Sequence, residues 1–306
     1  MPLPNLPDVP EWLALWPWAE GAVILFGFIW GAMLGSFINV VVHRLPLGES
    51  VVSERSRCPD CRSGIQARDN LPVIGWLLVR GRCRACGAAI SPVYPLVEAT
   101  CGLIVAMLAA AELAGGGRWL VHGSTGYPLG VDRLLRGDWQ LLVTCCLHAA
   151  VALLVVAWAL LDRNRWKCPA TWLILPLGLS LVTVGLLRLA APPGLLPDGG
   201  GWPVNRPEWQ GLAAGLAGAA VGGLLGQAGR TASVRLGLPL LGSVLGWQTL
   251  LVVTVVTALA AEIPRRCLPE GTRPGDFGLG LAVAATAALA CQAPLMAVWR
   301  GLAQAL

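Results

Sequence analysis

The chain has 306 residues, of which 56% are hydrophobic and only 13% charged, and its mean hydropathy is +0.66. Apolar runs of about 20 residues recur along it, which is the length that an α-helix needs to cross a bilayer. This composition excludes an ordinary soluble domain and predicts an all-α, polytopic membrane helical bundle of about seven spans. The net charge of +5 comes from arginines in loops, which argues against a nucleic-acid-binding surface and predicts no nucleic-acid partner.

The first predicted span covers residues 20–43. The Pro- and Trp-rich segment before it has no basic n-region, so we expect no cleavable signal peptide. Three small residues in the span would let another helix approach closely: Gly31, Gly35 and Ser36. Asn39 lies near the end of the span, and both an interhelical hydrogen bond and a functional role are open for its side chain.

The next segment, residues 44–92, carries two Cys-x-x-Cys pairs whose four thiolates match the tetrahedral shell that Zn²⁺ prefers. The predicted zinc ligands are Cys58, Cys61, Cys83 and Cys86. Two disulfides or a redox pair are the alternatives. The loop also holds eight arginines, so it is predicted to be cytoplasmic, where thiols stay reduced, with the N-terminus outside. Four of these arginines flank the cysteines and would help to keep them deprotonated: Arg57, Arg62, Arg82 and Arg84.

Two further spans contain polar residues. Glu98 lies in the second span (93–114), where a carboxylate is costly unless paired, and an arginine of the cysteine loop is the expected partner. His148 lies in the third span (139–161), and a packed, hydrogen-bonded role is favoured over a ligand role. Asp162 follows at the predicted inner face, either as a solvated interfacial acid or as a catalytic group. Four more spans are predicted at about 171–192, 209–229, 237–261 and 276–299.

Several stretches of the sequence carry a family signature. The most specific runs from Gly35 to about Glu98 and includes GSFINVVVHRLP and, in the cysteine loop, NLPVIGWLLVRGRCRACGAAISPVYPLVEA. Looser matches are LLDRNRWKCPATWLILPLGL, LGSVLGWQTLL and DFGLGLAVAATAAL. Together these stretches resemble the bacterial type IV prepilin peptidases, also called leader peptidase/N-methyltransferases. The resemblance implies three domains: residues 1–43 with the first span, 44–92 as a cytoplasmic zinc domain associated with methyl transfer, and 93–306 as a membrane peptidase-like helical domain.

The resemblance also implies an activity. In this family two aspartates at the inner ends of membrane helices cut the leader of type IV prepilin-like or pseudopilin substrates, and the new N-terminus is methylated with S-adenosylmethionine. One carboxylate would activate a water while the other, protonated, polarises the scissile carbonyl. Asp162 matches the first aspartate. The implied cofactors are Zn²⁺ and S-adenosylmethionine, and the implied partners are prepilin N-terminal segments, the bilayer of the bacterial inner membrane, and a pilus or type II secretion machinery.

The second aspartate departs from the family pattern. The family places it in Gly-x-Gly-Asp, and counting back from LGSVLGWQ puts Val234 where that aspartate should be. A valine can neither hold a proton nor activate water. Asp276 lies in another Gly-Asp pair, but it aligns with a proline of the family and falls on the predicted outer face. A pseudoenzyme is therefore the alternative: a zinc-bearing protein that binds pilin segments or assembly partners and retains at most the methyltransferase activity.

Overall fold

The structure is a computed structural model that describes residues 17–52, 56–114 and 139–163, with the isolated positions 131, 134, 220, 224, 238 and 241. Within these residues the chain is helical and forms no β-strand. The α-helices are α1 (Pro17–Arg44), α2 (Ile74–Leu78), α3 (Val93–Leu108) and α4 (Trp139–Arg163). Short 3₁₀ helices span Leu45–Leu47 and Ala67–Asn70, and a π-helical segment, Ala109–Ala114, continues α3. The predicted fourth to seventh spans lie outside the described residues, apart from four of the isolated positions.

Two helical stretches are long and apolar enough to cross a membrane, Trp18–Leu47 and Val93–Ala114, and these correspond to the first two predicted spans. The third predicted span corresponds to α4, in which Cys145–Leu161 is a shorter apolar stretch. The first helix ends where Pro46 enters a 3₁₀ turn, because proline lacks the N–H that would continue the α-helical pattern. The described residues therefore contain helices at the first three predicted spans. The predicted total of seven spans is not tested by them.

The sequence of α1 divides the helix into two faces. Its exposed face is a continuous apolar surface made of Leu25, Phe26, Ile29, Trp30, Met33, Leu34 and Phe37. Its opposite face presents small residues at four-residue spacing, including Gly31 and Gly35, both buried. Since residues four apart lie on the same side of a helix, the small residues form one groove along α1.

The glycine groove of α1 lets the backbone of α3 approach the backbone of α1 closely. A Cβ added at Gly31 would lie 2.5 Å from the carbonyl oxygen of Cys101, and one at Gly35 would lie 2.9 Å from the Cα of Glu98. The fit is reciprocal, since a Cβ on Gly102 of α3 would lie 2.8 Å from the Phe28 ring of α1. The close approach predicted for Gly31 and Gly35 is confirmed, and it sets the distance between the two helices that flank the cysteine loop.

The internal contacts of the chain divide it into two compact units. One is Leu25–Ala106, which holds most of α1, the cysteine loop and most of α3. The other combines Met1–Ile24 with Met107–Leu306 and holds the π-helical segment and α4. The candidate metal centre lies entirely within the first unit.

Candidate metal centre

The four loop cysteines converge at one point. Their sulfur atoms all lie within 4.8 Å of one another, and the two contacts that cross between the pairs are 3.9 Å for Cys58 to Cys86 and 4.0 Å for Cys61 to Cys83. All four are free thiols, so the alternative of two disulfides is not adopted. A tetrahedral Zn²⁺ with sulfurs about 2.3 Å away requires sulfur–sulfur distances close to these. The cluster can hold a metal ion, and its donor set and geometry fit zinc.

Two copies of one local structure build this cluster. In the first, the backbone N–H of Cys58 donates to the carbonyl of Ser63 at 3.0 Å, and in the second Cys83 donates to Ala88 at 2.8 Å. The first ends at a bridge between residues 57 and 64 and the second at a bridge between residues 82 and 89. We call these segments, residues 56–65 and 81–90, the first and second knuckles.

Each knuckle turns through a left-handed residue directly after its second cysteine. That residue is Arg62 in the first knuckle, with φ 60°, and Gly87 in the second, with φ 75°. Its N–H returns to the carbonyl of the first cysteine, from Arg62 to Cys58 at 3.0 Å and from Gly87 to Cys83 at 2.8 Å. This turn folds each Cys-x-x-Cys back on itself, so that both sulfurs of a pair point to the same place.

Hydrogen bonds within the knuckles tune the thiols. The backbone N–H groups of Cys86 and Ala85 lower the pKa of Cys83 to about 6. The hydroxyl and then the backbone N–H of Ser63 lower the pKa of Cys61. The N–H of Ala88 lowers the pKa of Cys86, but hydrogen bonding with the Cys61 thiol and burial outweigh it and raise that pKa to about 12. Thiols this close cannot all ionise unless a cation shares the site, because neighbouring thiolates repel one another.

One of the flanking arginines, Arg84, plays a different part from the one predicted. Arg84 forms a bidentate ion pair with Asp69. Its Nη2 lies 2.7 Å from Oδ1 and its Nε lies 2.8 Å from Oδ2. This pairing lowers the pKa of Asp69. Arg84 therefore ties the second knuckle to the 3₁₀ helix Ala67–Asn70, and the lowered pKa values of Cys83 and Cys61 follow first from backbone and Ser63 donors, not from arginine charge.

A strained turn within the cysteine loop is hydrogen-bonded to α3. Val73 has φ 61° and ψ −53°, and the N–H of Ile74 donates back to the carbonyl of Pro72 at 2.6 Å, which makes a γ-turn of the rare, strained kind. A β-branched residue in this region is a genuine outlier. The N–H of Val73 donates to Oε2 of Glu98 at 2.7 Å, so a carboxylate of α3 holds the turn. Among the described residues the partner of Glu98 is this backbone group, where an arginine side chain was predicted.

Asn39 makes the interhelical hydrogen bond that was one of its two alternatives. Its amide Nδ2 donates to the carbonyl of Tyr94 at 3.1 Å, which links the last turns of α1 to the first turn of α3. Tyr94 lies within the first four residues of α3. The Asn39 side chain therefore joins the residues just before the loop to those just after it. Asn39 therefore stabilises the base of the cysteine loop.

Outside the metal centre, sequence reasoning missed Glu112. Its Oε1 lies 2.6 Å from Nδ1 of His148, and both side chains are buried. The packed, hydrogen-bonded role favoured for His148 is thus confirmed, with a carboxylate partner in the π-helical segment. Among the described residues the other oxygen of Glu112 has no hydrogen-bond partner. A single acid inside the apolar run AAAELA was the only signal that could have pointed to it.

Asp162 lies in the last turn of α4, close to the end of the helix, as the sequence predicts. The surroundings of its side chain lie outside the described residues, and so does Val234. The structure thus brings the four predicted metal ligands together and leaves the predicted catalytic position untested.

Comparison with known proteins identifies the unit that carries this metal centre. The family model of the bacterial peptidase A24 N-terminal domain matches residues 29–111, which nearly coincide with the compact unit Leu25–Ala106. We call residues 29–111, which match this model, the A24 domain. This A24 domain contains the C-terminal part of α1, the whole cysteine loop and all of α3.

Curated relatives match over the same region. A prepilin leader peptidase/N-methyltransferase of Klebsiella pneumoniae is 42% identical over 118 residues, which are 37% of this chain and 50% of that protein. One of Myxococcus xanthus is 49% identical over 80 residues, 26% of this chain and 24% of that protein. A type 4 prepilin-like proteins leader peptide-processing enzyme of Escherichia coli is 40% identical over 95 residues, 25% and 35% of the two chains.

The chain thus spans half or less of the length of each of these relatives. No solved structure matches it. The comparisons therefore show a similarity to the bacterial peptidase A24 N-terminal domain over residues 29–111, and the activity of the whole protein is a separate question.

Proposed function

We propose that this chain is a membrane-embedded member of the prepilin leader peptidase/N-methyltransferase family that acts on the N-terminal segments of prepilin-like or pseudopilin proteins. The observation that carries the proposal is the A24 N-terminal domain with its four-cysteine cluster complete. The names of the relatives give the two reactions: removal of a leader peptide and N-methylation of the new N-terminus. Methyl transfer would use S-adenosylmethionine, as the resemblance implies.

We propose zinc as the metal of the cluster, bound by Cys58, Cys61, Cys83 and Cys86. Four thiolates fill a tetrahedral shell and leave no open position for water, which is typical of structural sites rather than catalytic ones. The metal would neutralise the crowded thiolates and fix the two knuckles against each other. Its part in the reaction is to shape the cytoplasmic loop beside the membrane helices.

We place the protein in the bacterial inner membrane, with the cysteine loop in the cytoplasm and the N-terminus outside. Three features support this placement: the apolar helices Trp18–Leu47 and Val93–Ala114, the arginines of the loop between them, and the reduced cysteines. A leader would then be met at the cytoplasmic face, where α1 ends and α3 begins.

Cleavage would depend on Asp162, which stands where the family has its first catalytic aspartate. A lone carboxylate cannot act at once as the base for water and as the acid for the leaving amine, since the two roles need opposite protonation states. Val234 stands where the second aspartate is expected, which favours a second candidate function. In it the protein binds pilin segments, and at most methylates them, without cutting a leader.

The two candidates are separated by a leader-cleavage assay. The full-length chain is co-expressed with a prepilin-like protein, and the mass and N-terminal sequence of the pilin are determined. Wild type is compared with Asp162→Ala and with Val234→Asp combined with Ser233→Gly. If wild type cleaves the leader and Asp162→Ala does not, the peptidase candidate is supported. A second acid other than residue 234 must then exist. Cleavage only by the double variant supports the non-cutting candidate. If no variant binds, cleaves or methylates the pilin, both candidate functions are contradicted.

A further inference from the structure

The cysteine loop has an apolar surface that none of its own packing explains. Leu71, Ile74, Leu77 and Leu78 are each between 49% and 59% exposed. Ile74, Leu77 and Leu78 have the i, i+3, i+4 spacing of a single helix face, and Leu71 lies three residues before Ile74, ahead of the γ-turn. We call these four residues the leucine stripe. Four large aliphatic side chains exposed together on so small a loop mark an interaction surface.

The stripe is held rigidly because the other side of α2 is packed. Trp76 lies between Ile74 and Leu77 and turns inward, where its Nε1 donates to the carbonyl of Ile90 in the second knuckle at 3.0 Å. Its ring closes against Gly81, where a Cβ would lie 2.7 Å from the ring. Gly75 is buried against the backbone of Asp69, with no room for a side chain. The metal-bearing loop therefore presents the stripe outward as a fixed surface.

The position of the stripe along α3 is set by Glu98. The carboxylate that holds the Val73 γ-turn, at the start of α2, belongs to the sixth residue of α3. With a rise of 1.5 Å per residue, Glu98 lies about 7–8 Å along α3 from its first residue. The stripe thus begins beside the second turn of a helix long and apolar enough to cross a membrane. With the predicted second span starting at Val93, this offset matches the depth of about 5–10 Å to which interfacial helices bury an apolar face.

Exposed arginines flank the stripe on both sides in the sequence. Arg68 precedes it and has a side chain that is 66% exposed, and Arg80, also exposed, lies two residues after Leu78. Arg82, also exposed, comes two residues later. Basic residues beside an apolar interfacial helix are attracted to the phosphates of anionic lipids. The charge of this border fits an anionic bilayer surface.

We propose that the leucine stripe is a lipid anchor, seated in the headgroup region of the anionic bilayer that α1 and α3 cross. This proposal rests on the membrane placement made above. The anchor would hold the metal-bearing loop down on the membrane instead of leaving it to extend into solvent, and would fix the knuckles at the surface where a membrane-embedded peptide segment emerges.

The test measures the depth of single positions in the full-length chain. The fluorescent amino acid Anap is incorporated in place of Leu77, of Phe26 on the exposed face of α1, or of Asp60 on the exposed tip of the first knuckle. Each protein is reconstituted in nanodiscs of equimolar phosphatidylcholine and phosphatidylglycerol, with or without bromine on the acyl chains. Bromine quenches only probes that reach the acyl-chain region.

We expect strong quenching at position 26, about half as much at position 77 because an interfacial anchor is shallow, and none at position 60. Quenching at position 77 should also fall when phosphatidylglycerol is omitted, and Arg68→Gln with Arg80→Asn should remove that dependence on anionic lipid. Asparagine is chosen at position 80 because Arg80 has φ 53°, a conformation that asparagine tolerates.

Three results would overturn the anchor. Quenching at position 26 without quenching at position 77 would mean that the loop stands clear of the bilayer while the membrane placement holds. Blue-shifted but unquenched emission at position 77 would mean that protein, such as a second copy of the chain, covers the stripe. Absence of quenching at position 26 would refute the membrane placement itself, and the anchor with it.

Discussion

Single residues decide whether the four thiols form one site. Each knuckle needs a left-handed residue after its second cysteine, since that turn brings both sulfurs of the pair to the same side. Gly87 adopts the conformation without steric cost, whereas Arg62 adopts it with a Cβ present. The same backbone path is thus realised by a residue suited to it and by one that is strained.

Zinc content tests the ligand set. We expect about one Zn²⁺ per wild-type chain, because four converging thiolates complete one tetrahedral shell. Cys83→Ser should lose most of the metal, since an alcohol is a poor substitute for a thiolate ligand. Cys146→Ala, a free cysteine on α4 outside the cluster, is the matched control and should keep it. Metal analysis of the purified proteins measures both. A Cys83→Ser protein with full zinc content would refute this site.

The two left-handed residues provide a matched pair of substitutions. A Cβ at Gly87 would meet no atom within 4 Å, so Gly87→Ala changes only the backbone preference. It should weaken the loop by about 1–2 kcal/mol, the cost of a left-handed conformation for a residue with a side chain. Arg62→Gly should be neutral or stabilising for the same reason. Competition for zinc with a chelator measures both changes, and equal zinc affinity in Gly87→Ala and wild type would contradict the argument.

At the scale of secondary structure elements, the A24 domain is built on the close approach of α1 and α3. Small residues make this approach possible, since helices in a bilayer gain stability from van der Waals contact rather than from burial out of water. Two polar contacts then set where the loop begins and ends on the pair: Asn39 to the carbonyl of Tyr94, and the N–H of Val73 to Glu98.

A methyl group placed in the glycine groove should separate the helices. Gly31→Ala would put a carbon 2.5 Å from the carbonyl of Cys101 and 2.8 Å from the side chain of Val105, so backbone has to move. We expect a loss of about 1–3 kcal/mol, typical of overpacking, seen as a lower midpoint of thermal unfolding in detergent. Gly21→Ala on the same helix is the control, because a Cβ there meets nothing within 4 Å. Equal melting of the two variants would show that the groove is not closely packed.

At the scale of the whole molecule, the distribution of charge supports the proposed orientation in the membrane. Eight arginines lie in the loop between the first two spans. Positively charged loops are retained on the cytoplasmic side during insertion, and this bias orients the remaining spans. The proposed orientation agrees with the free cysteines, since a cytoplasmic site would keep its thiols available for metal.

Labelling of engineered cysteines in intact cells tests this orientation. Val52→Cys, at a residue that is 85% exposed in the cysteine loop, should react with a membrane-impermeant maleimide only after permeabilisation. Ser124→Cys, in residues 115–138 between the second and third predicted spans, should react in intact cells, because the proposed topology puts that segment on the outer side. The parent chain without either substitution is measured alongside to account for native cysteines. Labelling of Val52→Cys from outside would invert the proposed topology.

The sequence by itself determined the features that depend on local spacing. Two Cys-x-x-Cys pairs predicted the four converging sulfurs, and apolar runs predicted the first three helices to within a few residues, because periodicity and ligand spacing are local properties. It could not supply the partners that come from distant segments. The carboxylate of Glu98 meets the backbone of Val73 and not an arginine, and Glu112 meets His148.

Only the tertiary structure decided these contacts, since a hydrogen bond between residues 25 or 36 positions apart depends on how the helices pack. The same reason explains the arginines beside the cysteines. Proximity in sequence suggested that their charge tunes the thiols, but the fold directs Arg84 to Asp69 and leaves the tuning of Cys83 to backbone N–H groups.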